Sequence, residues 1–266
     1  MAKFGNYNLI EADLADDYVA TVEMRNGELN FFDINMLTAL ADCLHDLDRE
    51  PKCRVVVLAS AGKAFCAGAN FSGGPRPAGL PANTLGSSGS PLYDQAVRLF
   101  ENKKPIVGAI NGAAIGGGLG LALAPDFRVG CPDTRMAANF TQLGFHPGFG
   151  LTHTLPALIG QQKAWDMFFT GRRVKAEEAL QIGLLDRLVP TPQLRAAAQE
   201  MAKEIAASAP LAVMAVRETV RMGLADRVRA ATARELQEQN KLQKTEDMKE
   251  GIKATAERRP ANFQGR

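Results

Sequence analysis

A run of three glycines at 116–118 constrains the fold of this chain more than any other feature of its sequence. The run follows the apolar stretch 105–110 and leads into the apolar segment 119–124, so a strand feeds a helix through a turn without side chains. Such a turn can point unpaired N–H groups at an anionic oxygen. A second turn rich in small residues, 64–69, follows the strand 54–59, and the two turns together predict an oxyanion hole.

The hydrophobic pattern predicts an α/β fold. Residues 18–24 alternate between apolar and polar side chains, as in a strand, whereas residues 33–48 carry apolar side chains at helical spacing. The elements predicted after them are strand 54–60, helix 92–102, strand 106–110, helix 118–124 and strand 127–130. This alternation is typical of right-handed βαβ units.

The composition is that of a globular protein without a strong overall field. With 266 residues, 46% of them hydrophobic, the chain can form one large domain or a domain plus an appendage. Its 31 basic and 29 acidic residues leave a formal charge of +2, which argues against general attraction to nucleic acid or to a membrane. The sequence has no metal-ligand spacing and no Ser-His-Asp order, so we expect neither a metal nor a serine hydrolase.

The cysteines and the apolar runs predict a soluble, cytoplasmic protein. The four cysteines show no CxxC spacing, and three of them lie in apolar patterns, which indicates reduced and buried thiols. No uncharged apolar run reaches the ~18 residues that a membrane helix needs, and the N-terminus has no basic-then-apolar signal. The cysteines are Cys43, Cys53, Cys66 and Cys131.

The chain divides by pattern into a core and a helical C-terminal region. Strand patterns end near Pro192, so we predict a core at 1–191 and a helical oligomerisation region at 192–266. Its helical patterns are 193–208, 211–222 and the charged run 227–249. Acids such as Glu235 are interleaved with bases in that run, so its charged faces are expected to be solvated or to lie between subunits rather than to bind nucleic acid.

An ordered series of short motifs, covering nearly the whole chain, resembles the crotonase (enoyl-CoA hydratase/isomerase) superfamily. The matching pieces are Arg25, Leu29-Asn30, 63–69, 111–118, Leu143-Gly144, Pro147-Gly148, 170–172, 176–179, 183–186 and 258–263. One glycine cluster alone would be a weak signal, whereas this ordered series is specific. The resemblance implies a ClpP/crotonase-like α/β spiral of β-β-α units with a C-terminal helical trimerisation region, assembled as a homotrimer or a dimer of trimers.

The resemblance also implies that the substrates are acyl-CoA thioesters and that no further cofactor takes part. Proteins of this superfamily hold the thioester oxygen with two backbone N–H groups, and Ala69 and Gly117 match the positions of these donors. An enolate or tetrahedral oxyanion needs stabilisation where its charge develops, and one preorganised donor is typically worth about 10²- to 10³-fold in rate. The two turns therefore set the reaction class.

Several further positions match contacts that the superfamily makes to coenzyme A. The matching residues are Arg25, Lys63, Ala64 and Ala67. The tail that ends near Phe263 resembles the segment that reaches the adenine and phosphates of a ligand bound by a neighbouring subunit. The resemblance therefore implies a binding site that is built across subunits.

The chain departs from the superfamily at the two positions that carry acid–base chemistry. Hydratases of this type use two glutamates to add water across a double bond. Counting from the glycine run and from Gly144 places Gly120 and Phe140 at those positions. Neither residue can transfer a proton, so hydration by that carboxylate pair is not expected.

Other residues are candidates for the missing acid or base. His146 replaces a residue that is usually apolar in the superfamily, and an imidazole there could act near neutral pH or merely shape the pocket wall. Asp94 borders 72–91, a stretch rich in Gly, Pro, Ser and Ala, with Arg76 as its one charged residue, that we expect to be a mobile loop beside the site. Tyr93, Asn139 and Gln142 are weaker candidates, and several phenylalanines indicate an apolar acyl chamber.

The leading hypothesis is an acyl-CoA-binding enzyme of the enoyl-CoA hydratase/isomerase type that lacks the usual glutamate pair. One alternative is a different enolate chemistry, such as isomerisation or C–C bond hydrolysis, that uses His146. The other is a catalytically silent protein that binds acyl-CoA.

Overall fold

The computed structural model describes residues 2–71 and 90–266, and these residues form eleven strands and ten α-helices. The strands are β1 (Ala2–Lys3), β2 (Ile10–Leu14), β3 (Val19–Met24), β4 (Val55–Ser60), β5 (Ala64–Cys66), β6 (Ile106–Ile110), β7 (Ala113–Ile115), β8 (Phe127–Gly130), β9 (Arg135–Ala137), β10 (Arg173–Lys175) and β11 (Arg187–Leu188). The helices are α1 (Ile34–Arg49), α2 (Pro91–Glu101), α3 (Gly117–Ala122), α4 (Leu151–Ile159), α5 (Gln161–Thr170), α6 (Ala176–Gln181), α7 (Leu194–Ala206), α8 (Pro210–Val220), α9 (Leu224–Leu242) and α10 (Glu246–Glu257).

The strands form two sheets, and the predicted α/β class is confirmed. The larger sheet has the order β1-β2-β3-β4-β6-β8-β11, and it is antiparallel from β1 to β3 and parallel from β3 onward. The smaller sheet has the order β10-β9-β7-β5, in which only the β10 pairing is antiparallel. The predicted helix 118–124 begins one residue earlier, at Gly117, and ends at Ala122.

The larger sheet is buried on both faces, which explains the unbroken apolar runs of its central strands. In β4, Val56 and Leu58 join the main core, which also contains the apolar side of α1. The alternate residues Val55 and Val57 join a second cluster with α7 on the opposite face. Helix α1 begins where the side chain of Asp33 accepts a hydrogen bond from Met36 N at 2.8 Å.

The C-terminal helices make different contacts with the rest of the chain. Helix α7 packs on β4 and β6, whereas α9 packs on α2 and α4. Helix α8 is largely exposed, and it is tied down where Asp126 accepts hydrogen bonds from Arg217 (2.9 Å) and Arg221 (2.6 Å). The division at 191/192 stays a prediction, although α7 already belongs to the packing of the larger sheet.

The charged run 227–249 corrects one expectation. It forms α9 and the start of α10, and its acids do not all lie on solvated faces: Glu235 has a relative exposure of 0%. Helix α9 buries Glu235 together with Val228 and Leu236, which lie on the same side of the helix. The polar residue Glu235 therefore follows the helix's core-facing periodicity.

The four cysteines are free and buried, as predicted. Burial raises the pKa of the Cys43, Cys53 and Cys66 thiols, so these groups are protonated near neutral pH. In the part of the chain that the structure describes, no helix has the length and apolar character needed to span a bilayer. The predicted loop 72–91 lies, from residue 72 to residue 89, outside the described residues.

Candidate active site

The glycine run allows two backbone segments to approach closely. A Cβ atom on Gly118 would lie 2.0 Å from the carbonyl oxygen of Cys66, so the end of β5 rests directly on the first turn of α3. Gly116 caps α3 with a φ of 58°, a conformation that residues with side chains rarely adopt. The bare backbone predicted from the sequence is therefore required for the two turns to meet.

Ala69 and Gly117 line the same cavity. Gly68 lies between them, because a Cβ atom on Gly68 would be 3.5 Å from Gly117 N. The chain next to Ala69 is held by Phe32, whose N–H donates to Gly68 O at 3.0 Å. Within residues 2–71 and 90–266, neither the Ala69 N–H nor the Gly117 N–H donates a hydrogen bond to a protein acceptor.

The cavity has a volume of about 110 Å³ and a mainly apolar wall. Aromatic rings form much of this wall: Phe32 and Phe149 lie 5.5 Å apart between ring centroids, and Phe71 and Phe145 lie 6.2 Å apart, edge to face. The polar residues of the wall, among those described, are Ser90, Tyr93, Asn139 and Gln239. An apolar wall with a few convergent polar groups is typical of a small-molecule site.

Gly120 and Phe140 are both close to this cavity. Phe140 lies on its wall, whereas Gly120 is buried in α3 beneath the side chain of Phe149. A Cβ atom on Gly120 would lie 2.6 Å from Phe149 Cβ, so no larger residue fits at position 120 while Phe149 keeps its place.

A polar network joins the cavity wall to α9. The Tyr93 hydroxyl donates to Gln239 Oε1 at 2.7 Å, and Gln239 Nε2 donates to the carbonyl oxygens of His146 (3.1 Å) and Pro147 (3.3 Å). Burial, reinforced by the negative charge of Glu235, raises the pKa of the Tyr93 phenol. Tyr93 is therefore a neutral hydrogen-bonding group and a poor general base at neutral pH.

Glu235 is a buried carboxylate that was not among the acids predicted from the sequence, because the charged run 227–249 was expected to be solvated or to lie between subunits. It accepts hydrogen bonds from Gly150 N (2.8 Å), Thr152 N (2.9 Å) and Thr152 Oγ1 (2.6 Å). Burial raises its pKa, and these hydrogen bonds oppose the shift. The signal in the sequence was its spacing: Glu235 lies seven residues after the buried Val228 and directly before the buried Leu236, on the same side of the helix.

The residues predicted to contact coenzyme A lie in different surroundings. Ala67 lies on the cavity wall, and the preceding Ala64 is buried in β5. Arg25 lies away from the cavity and forms ion pairs with Glu11 and Glu23, each at 2.6 Å.

The two outermost of these residues are exposed. The side chain of Lys63 is 83% exposed and lies 3.4 Å from the carboxylate of Glu28. Phe263 is 41% exposed in the tail after α10. That tail folds back on the helix, because Gln264 N donates to Asp247 Oδ1 at 2.7 Å. The structure thus brings Ala67, Ala69 and Gly117 together, but it does not bring Arg25 or Phe263 to the same cavity.

The candidate acids and bases are not brought together. His146 is half-buried and does not belong to the cavity wall that the described residues form; its Nδ1 lies 2.8 Å from Pro147 O. Asp94 is exposed on α2. Gln142 is exposed as well, and its side chain donates to Thr170 O at 2.8 Å, whereas Asn139 does reach the cavity.

Comparison with known proteins places this chain in a family. The family model of enoyl-CoA hydratase/isomerase matches residues 15–266. The chain is 34% identical over 251 residues to the (E)-benzylidenesuccinyl-CoA hydratase of Thauera aromatica, covering 94% of this chain and 96% of the relative. It is 29% identical over 250 residues to the 1,2-epoxyphenylacetyl-CoA isomerase of Escherichia coli, covering 93% and 95%.

A solved structure shares the fold over nearly the full chain. The enoyl-CoA hydratase/isomerase of Pseudoalteromonas atlantica T6c matches with a TM-score of 0.84 at 28% identity, covering 97% of this chain and 100% of that one. The predicted crotonase-like fold is thereby confirmed. Together with the family match over nearly the whole chain, it establishes that this protein is an enzyme of the enoyl-CoA hydratase/isomerase family, within the crotonase superfamily.

Proposed function

We propose that the protein binds acyl-CoA thioesters and holds the thioester oxygen between the backbone N–H groups of Ala69 and Gly117. One observation carries this proposal: Ala69 and Gly117 both line one apolar cavity, and neither backbone N–H has a protein acceptor among the described residues. Donors that are already oriented cost no reorganisation when negative charge develops on the oxygen. The proposed chemistry therefore passes through a thioester enolate or a related oxyanion, with the acyl-CoA as substrate and no further cofactor.

We further propose that the reaction is not hydration by a pair of glutamates. Gly120 and Phe140 occupy the positions at which hydratases of the superfamily carry these acids, and the Phe149 side chain fills the space beside Gly120. The relatives include proteins named as a hydratase and as an isomerase, so family membership is compatible with either kind of reaction. Isomerisation or C–C bond hydrolysis through an enolate fits a cavity wall on which the described residues place no carboxylate.

Coenzyme A itself is proposed to bind outside the cavity, along the edge that leads to Ala67. Arg25, Lys63 and Ala64 are the proposed contacts in the same subunit, and Phe263 is the proposed contact from a neighbour in a homotrimer. The exposure of Lys63 and Phe263 supports this role, because exposed side chains are available to a ligand or to a second subunit.

The test of the oxyanion hole is the vibration of a labelled carbonyl group. Acyl-CoA thioesters of several chain lengths, each carrying carbon-13 in the thioester carbonyl, are bound to the protein and followed by isotope-edited infrared spectroscopy. Two hydrogen bonds from Ala69 and Gly117 polarise the carbonyl, so we expect its band at lower wavenumber than in water. A thioester that binds with an unshifted band would contradict the proposal.

The second candidate function, a catalytically silent acyl-CoA-binding protein, is separated from catalysis by the same panel. A silent protein would be stabilised against heat by acyl-CoA and would leave every member of the panel unchanged. Exchange of the α-hydrogens of the bound thioester with deuterated water would instead identify an enolate-forming enzyme. Rapid hydration of a simple enoyl-CoA would contradict the proposed absence of the two-glutamate route.

A further inference from the structure

We propose that Glu235 is a positioning residue of the active site: from α9 it holds the turn that presses the Phe149 side chain against the backbone of Gly117 and Gly120. This inference rests on the proposed function, in that the Gly117 amide is taken to contact the substrate. It extends the site to helix α9 of the C-terminal region, whose charged faces were expected to be solvated or to lie between subunits.

The turn that Glu235 holds has an unfavourable backbone. Phe149 has a φ of 65° and Gly150 a φ of 74°, so two consecutive residues lie in the left-handed region. This region is uncommon for a bulky residue such as phenylalanine. A residue in such a conformation persists only when its surroundings determine it strongly, and such residues cluster at functional sites.

Two side chains one turn apart on α9 hold this left-handed backbone in place. Glu235 accepts from Gly150 N with one oxygen, and from the backbone and hydroxyl of Thr152 with the other. Gln239 donates to the carbonyl oxygens of residues 146 and 147, on the opposite side of Phe149. The left-handed turn is therefore gripped on both sides by a single helix.

The hydrogen bonds from α9 affect the turn at Gly117, because they fix the position of the Phe149 ring. A Cβ atom on Gly117 would lie 3.7 Å from Phe149 Cδ2, and the Phe149 ring also packs against Phe32 at 5.5 Å between centroids. If the turn relaxed, the ring would move away from the first turn of α3 and the cavity would widen beside the Gly117 amide. The position of the acyl group relative to that amide thus depends on Glu235.

The three hydrogen bonds that Glu235 accepts require two acceptor oxygens. All three donors that meet Glu235 are N–H or O–H groups, and they are divided between its two carboxylate oxygens. A glutamine has one acceptor oxygen, and its NH₂ group would face a donor of the turn. Glu235→Gln therefore keeps the shape of the side chain and removes part of the hydrogen bonding that holds the turn.

The first measurement is amide hydrogen exchange of the segment 146–152 in the full-length protein. In Glu235→Gln we expect the amides of Gly150 and Thr152 to exchange about tenfold faster, as expected for the loss of one hydrogen bond to a charged group. Glu238→Gln is the matched control, because Glu238 lies on the same helix and pairs with Arg234 and Lys241 instead. Unchanged exchange in Glu235→Gln would overturn the proposal.

A second measurement links the turn to the cavity. The dissociation constants of coenzyme A and of butyryl-CoA are measured by calorimetry. The constant for coenzyme A divided by the constant for butyryl-CoA reports how much the acyl group contributes to affinity. We expect Glu235→Gln to lower this ratio about tenfold and to leave the affinity for coenzyme A unchanged. Faster exchange with an unchanged ratio would overturn the proposal, because Glu235 would then hold the turn without positioning the cavity.

Two outcomes keep the inference separable from the proposed function. If the wild-type protein binds butyryl-CoA no more tightly than coenzyme A, the proposed acyl cavity fails, while the exchange result still decides whether Glu235 holds the turn. If Glu235→Gln does not fold, Thr152→Val is used instead. It removes one of the three donors to Glu235 from an exposed residue and tests the same set of hydrogen bonds. We expect this variant to change exchange and the affinity ratio in the same direction, but less.

Discussion

The side chain of Phe149 lies against the backbone of Gly120, where a Cβ atom on the glycine would come within 2.6 Å of Phe149 Cβ and 2.8 Å of its Cγ. The two residues are distant in sequence and belong to different elements, α3 and the turn before α4. The Phe149 ring therefore fits in this place because position 120 has no side chain.

This contact predicts strong coupling between substitutions at the two positions. Gly120→Ala alone should destabilise the protein by about 1–3 kcal/mol, because the added methyl group overpacks the core. Phe149→Ala alone should cost about 3–5 kcal/mol through the cavity that it leaves. In the double variant the methyl group enters that cavity, so we expect a cost about 1–2 kcal/mol below the sum of the single costs.

Urea unfolding of the four proteins measures this coupling. Val220→Ala on helix α8 is the control, and its effect should add to that of Gly120→Ala because Val220 is exposed, whereas Gly120 is buried in another helix. Additive costs for Gly120→Ala and Phe149→Ala would contradict the described packing.

The position of His146 predicts a small effect of its removal. The imidazole lies outside the cavity wall and contacts the carbonyl oxygen of Pro147, so His146→Ala should change turnover by less than about threefold. The measurement is turnover in whichever reaction the acyl-CoA panel identifies. A loss of about 10²- to 10⁴-fold, the usual cost of removing a general acid or base, would instead assign the acid–base role to His146.

The raised pKa of Glu235 predicts how stability depends on pH. Burial places the folded-state pKa above the ordinary glutamate value, so the stability that the protonated group contributes is present below that value and is lost as pH rises through the folded-state pKa. Glu235→Gln does not ionise. The melting temperature of the wild type should therefore fall, relative to that of Glu235→Gln, as pH rises from the ordinary glutamate pKa through the raised folded-state pKa.

The neighbouring titratable groups are His146, whose positive charge opposes the shift, and Tyr93, which stays neutral in this range. Glu238→Gln, measured in parallel, corrects for the removal of one negative charge from α9. A wild type that gains stability over Glu235→Gln as pH rises would mean that the three hydrogen bonds to the carboxylate outweigh its burial.

Helix α8 predicts the surface through which the chain associates. Leu211, Val220 and Met222 are 80%, 73% and 76% exposed on or just after this helix, and exposed apolar surface of this extent is typical of interfaces. We expect a trimer or hexamer by analytical ultracentrifugation, and we expect Val220→Asp to shift the protein toward the monomer. Glu218→Gln on the same helix should leave the mass unchanged, and a monomeric wild type would contradict the prediction.

Local patterns were sufficient to predict much of this fold. The alternation in 18–24 and the apolar runs at 54–60 and 106–110 correspond to β3, β4 and β6, because strands buried on both faces carry continuous apolar sequence. The glycine run likewise predicted a strand, a bare turn and a helix, since few residues other than glycine tolerate such a φ at position 116 or such an approach at position 118.

Local patterns did not predict the parts of the site that depend on contacts between distant segments. The charged run that contains Glu235 is expected from its sequence to be solvated or to lie between subunits, although the spacing of Glu235 from Val228 and Leu236 matches the buried side of the helix. The left-handed backbone of Phe149 has no signature in the sequence, because it is imposed by hydrogen bonds from α9, some 85 residues away along the chain in the case of Glu235.

The sequence by itself determined the α/β class, the two turns with their potential donors at Ala69 and Gly117, and the absence of a carboxylate at positions 120 and 140. These follow from side-chain chemistry and from periodicities of a few residues. The tertiary structure alone decided that the Phe149 ring covers Gly120, that α9 holds its turn, and that His146 stands outside the cavity wall. The reason is physical: packing and long-range hydrogen bonds join residues whose separation along the chain carries no local signal.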